Sequence, residues 1–357
     1  MTLIIAEAGV NHNGEIDNAI ALVDAAVDAG VDVVKFQTFN ADKLVTRSAP
    51  KAGYQIDNTG SMESQYQMLK ALELSESEHY LLAQHCKTKK IEFLSTAFDQ
   101  ERLDFLVQNF NLSRLKIPSG DLTNHPFLLH HARQGLPIIL STGMSTLDEI
   151  DSALSVIAFG YLSQAETLMS SHQFQQARDS KEGSQLLKEK VTLLHCTSQY
   201  PTPISDVNLN AMDTLKETFG LEVGYSDHTM GIHISLAAVA RGARVIEKHF
   251  TLDRDLPGPD HAASLEADEL TLMTKCIRDI EQSFGSHSKE PTQIELDTRV
   301  AARKSLVAAV DIDIGAEFTA ENCAIMRPGN GMAPNKYWAL IGSNASRNYQ
   351  EGDLIDE

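Results

Sequence analysis

The chain has 357 residues, 42% of them hydrophobic, which is enough to bury one large core and a second, smaller unit. Its net charge of −19 argues against nucleic acid and anionic membrane as partners, and no apolar run reaches spanning length. Four scattered cysteines without a CxxC pair, and an N-terminus (MTLIIAEAG) without signal-peptide features, exclude a disulfide framework and a zinc–thiolate site and point to the cytoplasm.

Short apolar runs recur along the chain. They are LIIAEAG (3–9), VVKFQ (33–37), EFLSTA (92–97), LKIPSG (115–120), IILSTG (138–143), VTLLHC (191–196), VGYSDH (223–228) and VIEKHF (245–250). Amphipathic stretches separate them. The clearest, EIDNAIALVDAAVDAG (15–30), has apolar residues at helical spacing, acids in its first turns and Gly30 at its end. Eight strands alternating with helices predict a parallel α/β architecture, and the count favours a closed (β/α)8 TIM barrel. After a polar linker, 285–298, short strand-like runs with turn residues over 299–357 predict a small mostly-β domain, leaving 1–284 as the barrel.

The strand period of two then picks out faces. Leu3, Ile5 and Glu7 share one, as do Val33, Lys35 and Gln37; Gly224, Ser226 and His228; and Val245, Glu247 and His249. Lys116, Ser141 and His195 are assigned to the same inward face of their strands, while Lys248 points outward. In each strand the polar residue comes at the carboxyl end, where inward side chains of a barrel converge on one mouth. A lone buried histidine or lysine is ordinarily a satisfied structural residue. Two lysines, two glutamates and three histidines at equivalent places are not, because each buried charge needs a partner.

Lys35 and Lys116, with hydroxyls from Thr96, Ser119, Ser141 and Ser226, suit a small ligand carrying phosphate and carboxylate. His228 and His249, on adjacent strands, can place two imidazoles on one divalent ion, or act as an acid–base pair without metal. Glu7 and Glu247 are left to hold hydroxyls, orient the histidines or move protons.

IIAEAGVNHNG, VVKFQTF, LKIPSGD, ILSTGM, LLHCTSQYPTP, GYSDHT, IEKHFT, GPDH and RPGNG, in order from Ile4 nearly to the C-terminus, together resemble the sialic acid synthase family. The stretch ADKLVTRSAPKAGYQIDNTGSMESQ (41–65) is similar to its bacterial N-acetylneuraminate synthases. The resemblance implies condensation of phosphoenolpyruvate with open-chain N-acetylmannosamine and water, giving N-acetylneuraminate and phosphate by C–O cleavage. A second reading is the same reaction on a 2,4-diacetamido-6-deoxy sugar, giving legionaminic acid. A Schiff-base aldolase, and a non-enzymatic glycan- or ice-binding protein, are the readings from other classes.

Carried over by position, the resemblance makes His228 and His249 the ligands of a divalent cation, Mn2+ or Mg2+. It puts Lys35, Thr96, Lys116, Ser119, Ser141, Ser198 and Ser226 on phosphoenolpyruvate. Gln37, Asp121, Tyr200, Asp260 and Arg327 fall on the sugar, and Glu7, Glu247, Lys35 and Lys116 at the reacting centre. It also implies that the small domain is antifreeze-like (SAF, β-clip). In a domain-swapped homodimer, that domain would bring Arg327 to the neighbouring active site. Departures from the family pattern, Asp121 for glutamate and Ala97 for proline among them, concern the sugar end. The long polar stretch 161–190 is expected to be a solvated insertion.

Overall fold

Eight strands form where the apolar runs predict them: β1 Leu3–Gly9, β2 Val33–Thr38, β3 Glu92–Ala97, β4 Leu115–Ile117, β5 Ile138–Ser141, β6 Val191–His195, β7 Glu222–Asp227 and β8 Val245–His249. The structure, a computed structural model, describes residues 1–59, 63–164 and 170–356. All the pairings are parallel, in the order β3-β2-β1-β8-β7-β6-β5-β4. β3 and β4 end that order and approach each other without a hydrogen-bonded ladder, so the barrel is nearly closed.

The helices between strands cover the outside. Helix Ile16–Asp28 turns Ala19, Leu22, Val23 and Ala26 inward, a spacing of three and four that puts one apolar stripe on the sheet. It ends at Gly30, whose φ of 70° reverses the chain into β2 at no steric cost. The barrel interior is layered. Ile5, Val33, Leu94, Ile139, Leu194 and Val245 close its lower part as a separate apolar cluster, with Leu3 packed against it. Above that plug the inward positions switch to charge, because Glu7 pairs in register with Lys35 and with His249, and Ser226 with Glu247.

The chain divides into two compact units, Met1–Phe284 and Gly285–Glu357. In the second, strands β9 Ser305–Ala308 and β10 Cys323–Met326 pair antiparallel. Isolated bridges (Val307 with Leu354, Ile312 with Tyr349, Glu317 with Asn344) extend the pairing around a core of Leu306, Phe318, Leu340 and Ile355. The stretch read as linker, 285–298, runs into helix Gln293–Ala302, capped by Thr292 with Glu295 in a reciprocal box. The region 161–190 is mostly exposed among its described residues, as a solvated stretch should be. It carries helices Ser171–Asp179 and Lys181–Lys190, anchored by buried Ala177 and Leu187 and by Phe174 edge-on to Phe159 at 5.2 Å. Residues 165–169 lie outside the described residues. No helix among the described residues is long and apolar enough to cross a membrane.

Candidate active site

Four buried charges meet just above the apolar plug. Lys35 Nζ lies 2.5 Å from Glu7 Oε2 and 3.5 Å from Glu247 Oε2, and donates to Thr96 Oγ1 at 3.1 Å. Lys116 Nζ lies 3.2 Å from Glu247 Oε1, which also accepts from Ser226 Oγ at 2.8 Å. Gln37 Nε2 donates to Glu7 Oε1 at 3.4 Å. Isolated charges at this depth would be untenable, and two ammonium groups facing two carboxylates make the box electrically neutral.

The members differ in proton affinity. Burial raises the Glu7 carboxyl to about 7 against the pull of Lys35. Burial pushes Glu247 up too, but Lys116 and Lys35 converge on it and hold it well below the usual carboxylate range. Burial lowers Lys116, only partly offset by Glu247, whereas Glu247 and Glu7 outweigh burial at Lys35 and raise it. Beside the lysines, Ser119 Oγ accepts from the Gly143 amide at 2.9 Å. A Cβ at Gly143 would stand 2.5 Å from Ser198 Oγ and 2.9 Å from Ser119 Oγ, so a larger residue there would displace both hydroxyls. Hydroxyls and two ammonium groups thus surround one small volume, as an anionic phosphate or carboxylate requires.

His228 and His249 stand next, with ring centroids 5.6 Å apart. His228 Nδ1 faces the Thr197 carbonyl at 2.6 Å, so it carries the proton and donates. Burial lowers this imidazole to about 4 and keeps it neutral, which makes Nε2 a lone pair. The Ser226 hydroxyl, 3.3 Å from that nitrogen, has committed its hydrogen to Glu247. Burial and the neighbouring His228 lower His249 as well, and its Nδ1 is buried without a hydrogen-bond partner, 3.9 Å from Asp260 Oδ2. Two neutral imidazoles with unmet ring nitrogens fit a divalent cation. No group of three His, Cys, Asp or Glu is assembled for one among the described residues, so the remaining positions would fall to substrate or water.

A cavity of about 480 Å³ opens over this set, lined by Glu7, Lys35, Gln37, Thr96, Lys116, Ser119, Ser141, Ser198, Tyr200, Ser226, His228, Glu247, His249 and Asp260. Tyr200 stacks 4.1 Å from His228 and stands edge-on to His249.

Two expected residues, Asp121 and His195, are placed elsewhere. Asp121 is not in the lining and accepts from Asn124 at 3.0 Å. His195 was assigned to the wrong face. Leu194 and Cys196 point inward, and His195 binds the Val207 carbonyl at 2.7 Å and lines an adjoining cavity. Arg327 belongs to the second unit, where its Nε donates to the Ala302 carbonyl at 3.0 Å. Lys248 does point out of the barrel, but it is fully buried and paired with Asp227 at 3.2 Å.

The sequence reading missed Tyr54, Gln55, Met68, Leu69 and Leu72 in the lining. Tyr54, 5.0 Å from Tyr200, lies in a stretch whose only signal was its likeness to known synthases.

A model of the NeuB family matches residues 22–289. Over 352 residues the chain is 46% identical to the N,N′-diacetyllegionaminic acid synthase of Legionella pneumophila, covering 99% of this chain and 92% of that one. It is also 46% identical to the N,N′-diacetyllegionaminic acid synthase of Campylobacter jejuni, with 100% and 99% covered. Among solved structures, an N-acetylneuraminic acid (sialic acid) synthetase from Leptospira borgpetersenii superposes with a TM-score of 0.66 at 33% identity, covering 83% of this chain and 90% of that one. The two relatives overturn the expectation of N-acetylmannosamine as the sugar and N-acetylneuraminate as the product, and favour the second reading. The motifs that carried the resemblance supply the charged and imidazole side chains of the cavity. Synthases of this kind are generally metal-dependent, in keeping with the two imidazoles. The chain belongs to the NeuB family, the phosphoenolpyruvate-dependent condensing synthases of sialic, legionaminic and pseudaminic acid type.

Proposed function

We propose that this enzyme condenses phosphoenolpyruvate with an open-chain 2,4-diacetamido-6-deoxy sugar and water, giving N,N′-diacetyllegionaminic acid and phosphate. The observation that carries the reading is the 46% identity along essentially the whole chain to two synthases of that name. In this reading Lys35 and Lys116, with Thr96, Ser119, Ser141, Ser198 and Ser226, hold phosphoenolpyruvate by its phosphate and carboxylate. Pinned there, the enol carbon C3 meets the sugar carbonyl carbon in line. When bound by His228 and His249, Mn2+ or Mg2+ would act as a Lewis acid on the sugar's carbonyl oxygen. Glu7, beside Lys35, and Glu247, beside both lysines, move the protons: one to the new hydroxyl, one from the water that adds at C2. C2 then carries hydroxyl and phosphate, and expels phosphate by breaking the C2–O bond while the hydroxyl proton leaves. Gln37, Tyr200 and Asp260 hold the sugar.

The enzyme is proposed to work in the cytoplasm, where its four cysteines stay free. The domain-swapped homodimer, with Arg327 over a neighbouring mouth, rests on the family resemblance. Co-expressed Arg327→Ala and His249→Ala chains test it, since mixed dimers regain one complete site only if the lid is exchanged.

The deciding experiment follows phosphate release with phosphoenolpyruvate, Mn2+ and either 2,4-diacetamido-2,4,6-trideoxymannose or N-acetylmannosamine. The reading requires the larger kcat/KM for the diacetamido sugar. A larger value for N-acetylmannosamine would refute it.

A further inference from the structure

The cavity has two chemically opposite ends. Its inner end is the charged box. The arc above β1, β2 and β3 carries an apolar wall, formed by Val10, Leu44, Met68, Leu69, Leu72 and Phe98, with Tyr54, Gln55 and Gln65 of the same connection elsewhere in the lining. Chain order fixes which end is outer. Val10 follows the last residue of β1, Gly9, and Phe98 follows the last residue of β3, Ala97. Leu44 to Leu72 lie in the connection after β2, which ends at Thr38. Glu7, Lys35 and Thr96 lie within those strands, one layer deeper.

These apolar residues do not belong to the barrel core. With Phe39 they form a cluster of their own, in which Phe39 and Phe98 meet edge-on at 6.0 Å. The wall is anchored. Met68 and Leu69 sit on helix Gln65–Ala71, whose start is held by a reciprocal Ser64–Gln67 capping box. Met68 and Leu72 are nearly fully buried although they border the cavity.

An open-chain sugar reacts at C1, so C1 lies at the inner end among the lysines and imidazoles, and C6 is its far, outer end. We propose that this wall is the specificity determinant for C6: it receives a methyl group and disfavours a hydroxymethyl group. The inference rests on the diacetamido-sugar reading and goes beyond it by assigning the 6-deoxy preference to named residues. The physical cause is dehydration. A hydroxyl pressed against Met68, Leu69 and Leu72 is stripped of water, and those three side chains offer no hydrogen bond in return, whereas a methyl gains contact. An apolar pocket rejects an added hydroxyl by about 10²-fold at most, so a preference of roughly 10- to 100-fold in kcat/KM is expected.

The test compares two sugars that differ only at C6, 2,4-diacetamido-2,4,6-trideoxymannose and its 6-hydroxy counterpart, with phosphoenolpyruvate and Mn2+. The wild-type enzyme should favour the 6-deoxy sugar. Met68→Gln, which keeps the length of the side chain but offers an amide, should lower the preference about 10-fold, mainly through KM for the 6-hydroxy sugar. Met68→Leu should retain it. Leu69→Gln, at a half-buried position, serves as a second variant should Met68→Gln fail to fold.

Equal kcat/KM for the two sugars in the wild type, or an unchanged ratio in a folded Gln variant, would overturn this inference and leave the parent reading intact. A wild-type enzyme fastest with N-acetylmannosamine would overturn both.

Discussion

Asp227 and Lys248 offer the sharpest test of how the barrel holds its mouth together. They are register partners on β7 and β8, immediately before His228 and His249, and both side chains are 0% exposed. At 3.2 Å their Coulomb attraction is about 5 kcal/mol for an effective dielectric of ~20, which the cost of burying both ions largely offsets. Removing one partner exposes the uncompensated burial of the other, and the two ends are not equivalent. Asp227 also accepts from the Thr229 amide at 2.9 Å, the Thr229 hydroxyl at 2.8 Å and Ser235 Oγ at 2.6 Å. Lys248 donates to the Thr229 carbonyl besides Asp227, and has no other hydrogen-bond partner among the described residues. Asp227→Asn should therefore cost about 3–5 kcal/mol, and Lys248→Met, which leaves a carboxylate with three donors, about 2–3 kcal/mol. For a first unit ending at Phe284, unfolding entropy is about 0.6 kcal/mol/K, so the larger loss lowers Tm by roughly 5–8 °C in calorimetry. The double variant should be more stable than the sum of the single losses implies, by at least about 2 kcal/mol. A Tm shift below about 2 °C for Asp227→Asn, or strict additivity in the double variant, would refute the reasoning.

Other outcomes are equally specific. His131 is fully buried, donates from Nδ1 to the Phe127 carbonyl at 2.9 Å and leaves Nε2 without a partner, so burial takes its pKa from 6.5 to about 4. Between those values the unfolded chain binds the extra proton, so stability falls as pH drops from 6.5 towards 4, by about 3 kcal/mol; urea titrations of His131→Leu should show a flatter profile. His228→Ala and His249→Ala should each lose turnover by at least about 10²-fold with circular dichroism unchanged, and chelator-treated wild type should regain activity on adding Mn2+. Full turnover in the chelated enzyme would remove the ion from the reading. In 18O-labelled water the label should appear in the keto acid and be absent from the released phosphate; label in phosphate would mean attack at phosphorus.

Much of the barrel could be read from local pattern. Leu3–Gly9 and Glu92–Ala97 have the same limits in sequence and structure, because apolar runs bounded by turn residues mark buried parallel strands. Glu7, Lys35, Glu247 and His249 were found because alternation assigns each to the inward face without knowledge of its neighbours. The same rule failed at His195. In VTLLH both Leu193 and Leu194 are completely buried, one in the cluster shared with the helices and one inside the barrel, so two adjacent leucines leave the phase of the strand open. The small unit's helix Gln293–Ala302 announced itself in the T-x-x-E of TQIE, a signal outweighed by the polarity of its surroundings.

Side-chain type and period were sufficient to determine the barrel and most of the polar side chains that converge on its cavity, since each is a property of one strand. Partnerships needed the folded chain. Which carboxylate each lysine faces, and that Lys248 is tied to Asp227 rather than to solvent, depends on the register of strands far apart in sequence. The cavity's apolar wall could not be recognised from Leu44 to Leu72 alone, for the same residues would serve equally as ordinary core. Only their position above β1, β2 and β3, facing the charged box across one cavity, turns them into a surface that a substrate can meet.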